Sequence, residues 1–162
     1  MPLPDYIIYT DGSCHGNPGP GGYGVIVIAN GKRKELSGGF RLTTNNRMEL
    51  TAAIVGLKDL EKPSRVRLFS DSQYLVNGIN LGWARKWRVK GYKGKKNPDL
   101  WDQLLDLCER HDVEIIWVQG HAGQPENERC DQLSVQAAQR RGLPVDSEYE
   151  QGEKQRKPPT LF

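Results

Sequence analysis

The sequence predicts an α/β fold: a five-stranded mixed sheet, three antiparallel hairpin-linked strands plus two parallel ones, flanked by helices. Three observations carry that prediction. The first quarter of the chain holds apolar runs separated by glycine-rich and Asn-Gly turns, with no helical period. From Asn45 the spacing of apolar residues changes to that of a helix. Beyond it, short apolar runs alternate with helical segments, the pattern of strands with crossover helices. At 162 residues the chain is the size of one domain with its own core.

The elements follow in order. Asp5 to Asp11 reads as a first strand centred on Tyr6, Ile7, Ile8 and Tyr9. Gly22 to Ala29 is a second, and Asn30-Gly31 is a hairpin turn into a third, Arg33 to Leu42. In NNRMELTAAIVGLKDLE, Leu50, Ala53, Ile54 and Leu57 have helical spacing, and Pro63 lies just past the end. Val66 to Ser70 is a short strand, followed by a helix from Ser72 to about Leu81. A basic segment broken by Gly91 and Gly94 comes next, then a helix from Leu100 to Arg110 and a fifth strand, Val113 to Val118. Gly120 to Pro125 reads as loop and Glu126 to Arg141 as a last helix. Residues 1–146 are therefore expected to form one domain. Residues 147–162 show no period, contain Pro158-Pro159, and are expected to be a loosely ordered polar tail.

Charge is unevenly distributed. Residues 84–96 (ARKWRVKGYKGKK) hold seven of the 23 Lys and Arg and none of the 20 Asp and Glu, so the rest of the chain is net acidic. This run alternates with Trp83, Trp87 and Tyr92, a composition that suits a phosphate backbone better than a flexible tail. The longest apolar run, Val25 to Ala29, is too short to span a bilayer. No secretory signal is visible, and Cys14, Cys108 and Cys130 form neither a CxxC pair nor an even set. A cytoplasmic protein without membrane association is expected.

The stretch TDGSCHGNPGPGGYG invites a reading as a phosphate cradle. It lacks the Lys-Ser/Thr ending of a P-loop, its prolines remove N–H donors, and it leads into a strand instead of a helix. A bend that fixes Asp11 at the sheet edge accounts for it better.

Four carboxylates stand out, each with an ordinary alternative. Asp11 precedes a glycine, as a turn aspartate does. Glu49 lies three residues after Asn46, the spacing of a capping box. Asp71 precedes a helix, where an N-cap belongs. Asp131 sits beside the apolar stripe of the last helix. Yet Asp11 and Asp71 both close strands, at the edge where α/β sheets build sites, and Glu49 can lean over the same edge. Clustered carboxylates resist ionising unless a cation joins them, and a hard divalent ion is the natural one. Beside a cationic patch, such a cluster suits cleavage of a phosphodiester. His121 has the ordinary alternative of a surface loop histidine, but the flanking Gly120 and Gly123 let it swing, which suits a proton shuttle or an aid to product release. Neither a zinc ligand pattern nor a GxSxG elbow is present.

The segments TDGSCHGNPGPGGYG, TTNNRMEL, SDSQY and GHAGQPENERCDQLS, in this order and spacing, closely resemble bacterial type 1 ribonuclease H, over about residues 5–142. The resemblance implies a ribonuclease H-like fold and an endoribonuclease that cuts the RNA strand of RNA/DNA hybrids, leaving 5′-phosphate and 3′-hydroxyl ends. It implies Mg²⁺, two ions per site with substrate, with Mn²⁺ able to substitute. The family's metal-binding and catalytic carboxylates fall on Asp11, Glu49, Asp71 and Asp131, and its mobile histidine on His121. Cys14, Asn17, Asn45, Asn46 and Gln73 match positions that reach the hybrid's minor groove, and Thr44 matches a phosphate-pocket position. Trp83, Arg85, Lys86, Trp87, Arg88 and Lys90 fall in the family's basic protrusion (83–96), which supports the DNA strand. Where some relatives carry an arginine in the phosphate pocket, this chain has Leu42, with Arg41 beside it. A monomer is expected. Two alternatives stand beside this reading: a non-catalytic hybrid-binding module, which predicts a broken carboxylate set, and another nuclease or strand-transfer enzyme on a similar fold.

Overall fold

The computed structural model describes residues 3–120 and 123–156. The strands are β1 (Tyr6–Cys14), β2 (Gly19–Ala29), β3 (Lys32–Thr43), β4 (Arg65–Ser70) and β5 (Asp112–Trp117). The helices are α1 (Asn45–Lys58), α2 (Gln73–Asn80), α3 (Trp83–Val89), α4 (Pro98–Arg110), α5 (Pro125–Ala138) and α6 (Ser147–Arg156). The sheet order is β3-β2-β1-β4-β5, antiparallel across β1–β2 and β2–β3 and parallel across β1–β4 and β4–β5. The five-stranded mixed sheet read from the sequence is thus present, with β1 at its centre.

Strand alternation sorts the core onto two faces. Ile8, Val25 and Val27 point to the face covered by α1, where Leu50, Ala53, Ile54, Leu57 and the fully buried Trp101 of α4 complete the main cluster. Ile26 points the other way and meets Cys130 and Leu133 of α5, with Tyr9 and Ile28 beside them. Trp101 fits because Gly78 leaves room on α2: a Cβ there would overlap the indole ring. The Trp101 indole N–H donates to the Tyr74 hydroxyl at 2.8 Å.

Three segments differ from the sequence expectation. β1 does not end at Asp11 but continues to Cys14, paired through Cys14↔Gly21, because the glycines opposite it on β2 can be crowded without side chains. The basic segment contains a helix, α3, whose only buried residue is Ala84. The tail is ordered through residue 156: α6 stands where a loose segment is expected, and residues 157–162 lie outside the described residues. The physical reason lies at its base. Asp146 is buried against Arg47, and Tyr149 is buried one turn on, so a polar helix is anchored by a few fixed contacts instead of an apolar stripe. Among the described residues no helix is long and apolar enough to cross a membrane.

Candidate active site

The parallel register between β1 and β4 sets Tyr9 beside Phe69, and carrying it two residues further brings Asp11 beside Asp71. The Tyr9 and Phe69 rings stack at 4.9 Å, and the Thr10 hydroxyl donates to the Phe69 carbonyl at 3.1 Å, which locks the two strand ends together. α1 then approaches β1 at Gly12, where a Cβ would lie 2.5 Å from the Glu49 backbone nitrogen. That close approach delivers Glu49 to Asp11. Gly24 does the same for α5, since a Cβ there would overlap the Cys130 carbonyl one residue before Asp131. Gly12 on β1 therefore admits α1, and Gly24 on β2, paired with Asp11, admits α5.

The ordinary roles weighed for these acids belong to other residues. Thr44, not Asn46, caps α1, accepting from the Arg47 N–H at 3.2 Å, so Glu49 has no capping duty. Ser72, not Asp71, caps α2, accepting from Leu75 N–H at 3.2 Å. Asp11 is no turn residue but lies within β1, 5% exposed.

Asp11, Glu49 and Asp71 each offer an oxygen within 4.8 Å of the others. Asp131, half-buried on α5, lies outside that group, near enough for its charge to act on Asp11. Burial, then the Asp71 charge, pushes the Asp11 carboxyl up to about 8, and Asp131 adds to the rise. Burial, then Asp11 and Asp71, holds Glu49 well above the usual carboxylate range. Its Oε2 is buried and makes no hydrogen bond among the described residues. A buried acceptor in this state lacks a cation or a proton. Three hard oxygen donors with one orphaned oxygen fit a divalent cation of the magnesium or manganese type.

Around the cluster, the Trp117 indole N–H donates to the Asp71 carbonyl at 3.2 Å, with the ring 45% exposed at the site's edge. Nothing in the spacing of VEIIWV marks that tryptophan. A Cβ on Gly120 would lie 2.8 Å from Asp71 Oδ2, so the loop that leads to residue 121 passes directly against the site. His121 itself lies outside the described residues.

The residues matched to substrate contacts fall into separate groups. Asn17 Oδ1 accepts from Asn45 N–H at 3.1 Å, which joins the loop after β1 to the start of α1; Asn17, Asn45, Asn46 and Gln73 are all exposed. Cys14 is half-buried, its thiol donating toward the Gly19 carbonyl and pushed up to about 11 by burial. On α3 and its C-cap, Arg85, Lys86 and Lys90 are exposed and Trp83 is 41% exposed, while Trp87 packs edge-on against Trp101. Arg88 is turned onto α4, where it pairs with Asp102 at 2.9 Å, Asp106 at 2.6 Å and Glu109 at 3.3 Å. Arg41, adjacent to Leu42, is held bidentately by Glu150 of α6 at 2.8 and 2.9 Å.

A carboxylate cluster at the carboxyl edge of a mixed sheet is a site for divalent-ion chemistry, of the class that metal-dependent hydrolases use. Comparison with known proteins narrows the class. The RNase H family model matches residues 4–139. The ribonuclease H of Rippkaea orientalis is 59% identical over 149 residues, covering 89% of this chain and 91% of that protein. Among solved structures, LC9-RNase H1, a type 1 RNase H with the type 2 active-site motif, superposes with a TM-score of 0.74 at 35% identity. That match covers 94% of this chain and 82% of LC9-RNase H1. LC11-RNase H1 in complex with an RNA/DNA hybrid gives a TM-score of 0.59 at 27% identity, over 82% of this chain and 96% of that one. The chain belongs to the ribonuclease H family.

Proposed function

We propose that this protein is an endoribonuclease that hydrolyses the RNA strand of RNA/DNA hybrids at the Asp11–Glu49–Asp71 cluster, with Mg²⁺ as its cofactor. The observation that carries the reading is the orphaned Glu49 Oε2 among carboxylates within 4.8 Å of one another, in a chain of this family. Two divalent ions, when bound with substrate, supply activation of the attacking water and stabilisation of the leaving 3′-oxygen, with Mn²⁺ able to replace Mg²⁺.

The chain's own residues do the rest. Asp11 within β1 and Asp71 just past the end of β4 present oxygens from two neighbouring strands paired through Tyr9 and Phe69. Glu49 adds an oxygen from α1, and Asp131 serves a second ion from α5. His121 passes a proton or assists release of the 5′-phosphate product. Cys14, Asn17, Asn45, Asn46 and Gln73 reach a minor groove whose 2′-hydroxyls mark the RNA strand, and Thr44 meets a phosphate. The exposed cations of α3 support the DNA strand. The protein acts as a monomer in the cytoplasm.

An end-labelled RNA/DNA hybrid, single-stranded RNA, duplex RNA and duplex DNA, each incubated with Mg²⁺ and with EDTA, test this. Cleavage confined to hybrid RNA and abolished by EDTA is expected. Equal cleavage of duplex RNA or DNA would overturn the substrate, and activity in EDTA would overturn the metal requirement. Hybrid binding without cleavage would favour a binding module.

A further inference from the structure

Carboxylates within 4.8 Å of one another repel, and each keeps its place only as firmly as its backbone is held. Two of the three are held by regular structure. Asp11 lies within β1, paired with Gly24 of β2, and Glu49 lies inside α1. Asp71 falls between elements: β4 ends at Ser70 and α2 begins at Gln73. The backbone bonding of α2 opens one residue later, where the Ser72 carbonyl accepts from the Val76 N–H at 3.0 Å.

β5, which carries none of the clustered acids, reaches across at this point. Its Trp117 pairs with Ser70 in parallel register, and the Val118 N–H donates to the Ser70 carbonyl at 2.9 Å. The Trp117 indole N–H donates to the next carbonyl, that of Asp71, at 3.2 Å. Two consecutive peptide groups are thus held from the end of one neighbouring strand. The Ser70 hydroxyl accepts from the Ser72 N–H at 3.0 Å and tightens the same turn. The Trp117 ring is 45% exposed whereas Trp101 is fully buried, so packing contributes less at Trp117 and its distinctive contribution is the N–H.

We propose that Trp117 is a positioning residue for Asp71: its indole N–H pins the Asp71 peptide against repulsion from Asp11 and Glu49, so that the acids are set for a divalent ion before it arrives. The inference rests on the reading of this cluster as the metal site. Trp117 acts on the ion only through Asp71. Without the N–H, the Asp71 carboxylate swings away from its neighbours in the metal-free protein, and ion binding must first bring it back.

The test is Mn²⁺ binding to the metal-free protein, followed by calorimetry without substrate. Trp117→Phe keeps a ring and removes the N–H. It should raise the Mn²⁺ Kd about three- to tenfold, the scale of one lost hydrogen bond. The Mg²⁺ concentration for half-maximal hybrid cleavage should rise by the same factor, while kcat at saturating Mg²⁺ and KM for hybrid stay within about twofold. In an Asp71→Asn background, Trp117→Phe should change the Mn²⁺ Kd by less than about twofold, because the group it acts through is gone. Should Trp117→Phe melt early, the titration is run below its transition, where circular dichroism shows the native fold. Unchanged Mn²⁺ affinity in folded Trp117→Phe would overturn the pin, and a raised KM beside it would make the ring a substrate contact instead. A full further loss in the Asp71→Asn background would also overturn it. Failure of the parent protein to bind Mn²⁺ would overturn the metal reading beneath it.

Discussion

At the scale of single residues, the site is defined by acids that the helix caps do not use. Thr44 and Ser72 cap α1 and α2, which leaves Glu49 and Asp71 facing Asp11, with Glu49 Oε2 orphaned. The electrostatic consequence has a sign. Asp11 titrates at about 8 in the metal-free fold against 3.8 for an ordinary aspartate. The folded state therefore holds a proton that the unfolded state has released, and metal-free stability falls as pH rises from about 4 to about 8. Thermal melting in EDTA should show that fall, Asp11→Asn should flatten it, and saturating Mg²⁺ should reverse it at pH 8. Divalent-ion affinity should rise over the same interval, because binding displaces the proton. Asp11, Glu49 and Asp71 are legible in the sequence through strand ends and a helix start, whereas Asp131, within the last helix, takes its role only from the family resemblance. Trp117, which holds the Asp71 carbonyl, is not legible, because an exposed tryptophan at a strand end carries no pattern.

At the scale of elements, two junctions hold α1 in place, the first a close approach to β1. Gly12 admits α1, and an added Cβ would press on the Glu49 nitrogen and lie 2.8 Å from Met48 Cβ. Gly12→Ala should cost about 1–3 kcal/mol in denaturant unfolding, as overpacking does, and should lower divalent-ion affinity at the same time. A loss of stability with metal affinity intact would show that Glu49 does not depend on this packing. The second is the Arg47 junction, where one buried guanidinium joins α1, α4 and the base of α6. Arg47→Met leaves Asp146 buried without its cation, and should cost about 3–5 kcal/mol in the same experiment. The sequence does not reveal this junction, because its partners lie 52 and 99 residues away and a buried charge leaves no periodic trace. For the same reason α6 reads as loose: its residues are almost all polar, and its order comes from Asp146, Tyr149 and Glu150 instead of from an apolar face. The strands and the other long helices are legible because they bury side chains at period 2 or 3.6.

Over the whole molecule, charge is divided between jobs. The basic run read from the sequence as one cationic patch separates in the structure into outward cations and an inward one. Arg85, Lys86 and Lys90 are exposed, while Arg88 is engaged by three carboxylates on α4. Arg85→Gln/Lys86→Gln/Lys90→Gln should raise KM for hybrid with kcat unchanged. It should also weaken the salt dependence, by a slope of about 0.9 for each phosphate no longer neutralised. Arg88→Gln should leave that slope alone and lower the melting temperature instead, since it frees three carboxylates near one another. Equal salt slopes for the two variants would mean that Arg88 also meets the backbone. Sequence alone does not make this division, because both kinds of cation share one short run and differ only in which way α3 turns them.

The central claim is that the cluster at the junction of β1, β4 and α1 is where the RNA strand is cut. The measurement that tests it most directly is the single-turnover rate of RNA-strand cleavage in an RNA/DNA hybrid, with saturating Mg²⁺ and enzyme, for Asp11→Asn and Asp71→Asn. Both rates should fall by on the order of 10³-fold or more, the scale of removing one member of a catalytic unit, while hybrid binding survives. Rates within about tenfold of the parent protein would contradict the claim and move the chemistry elsewhere.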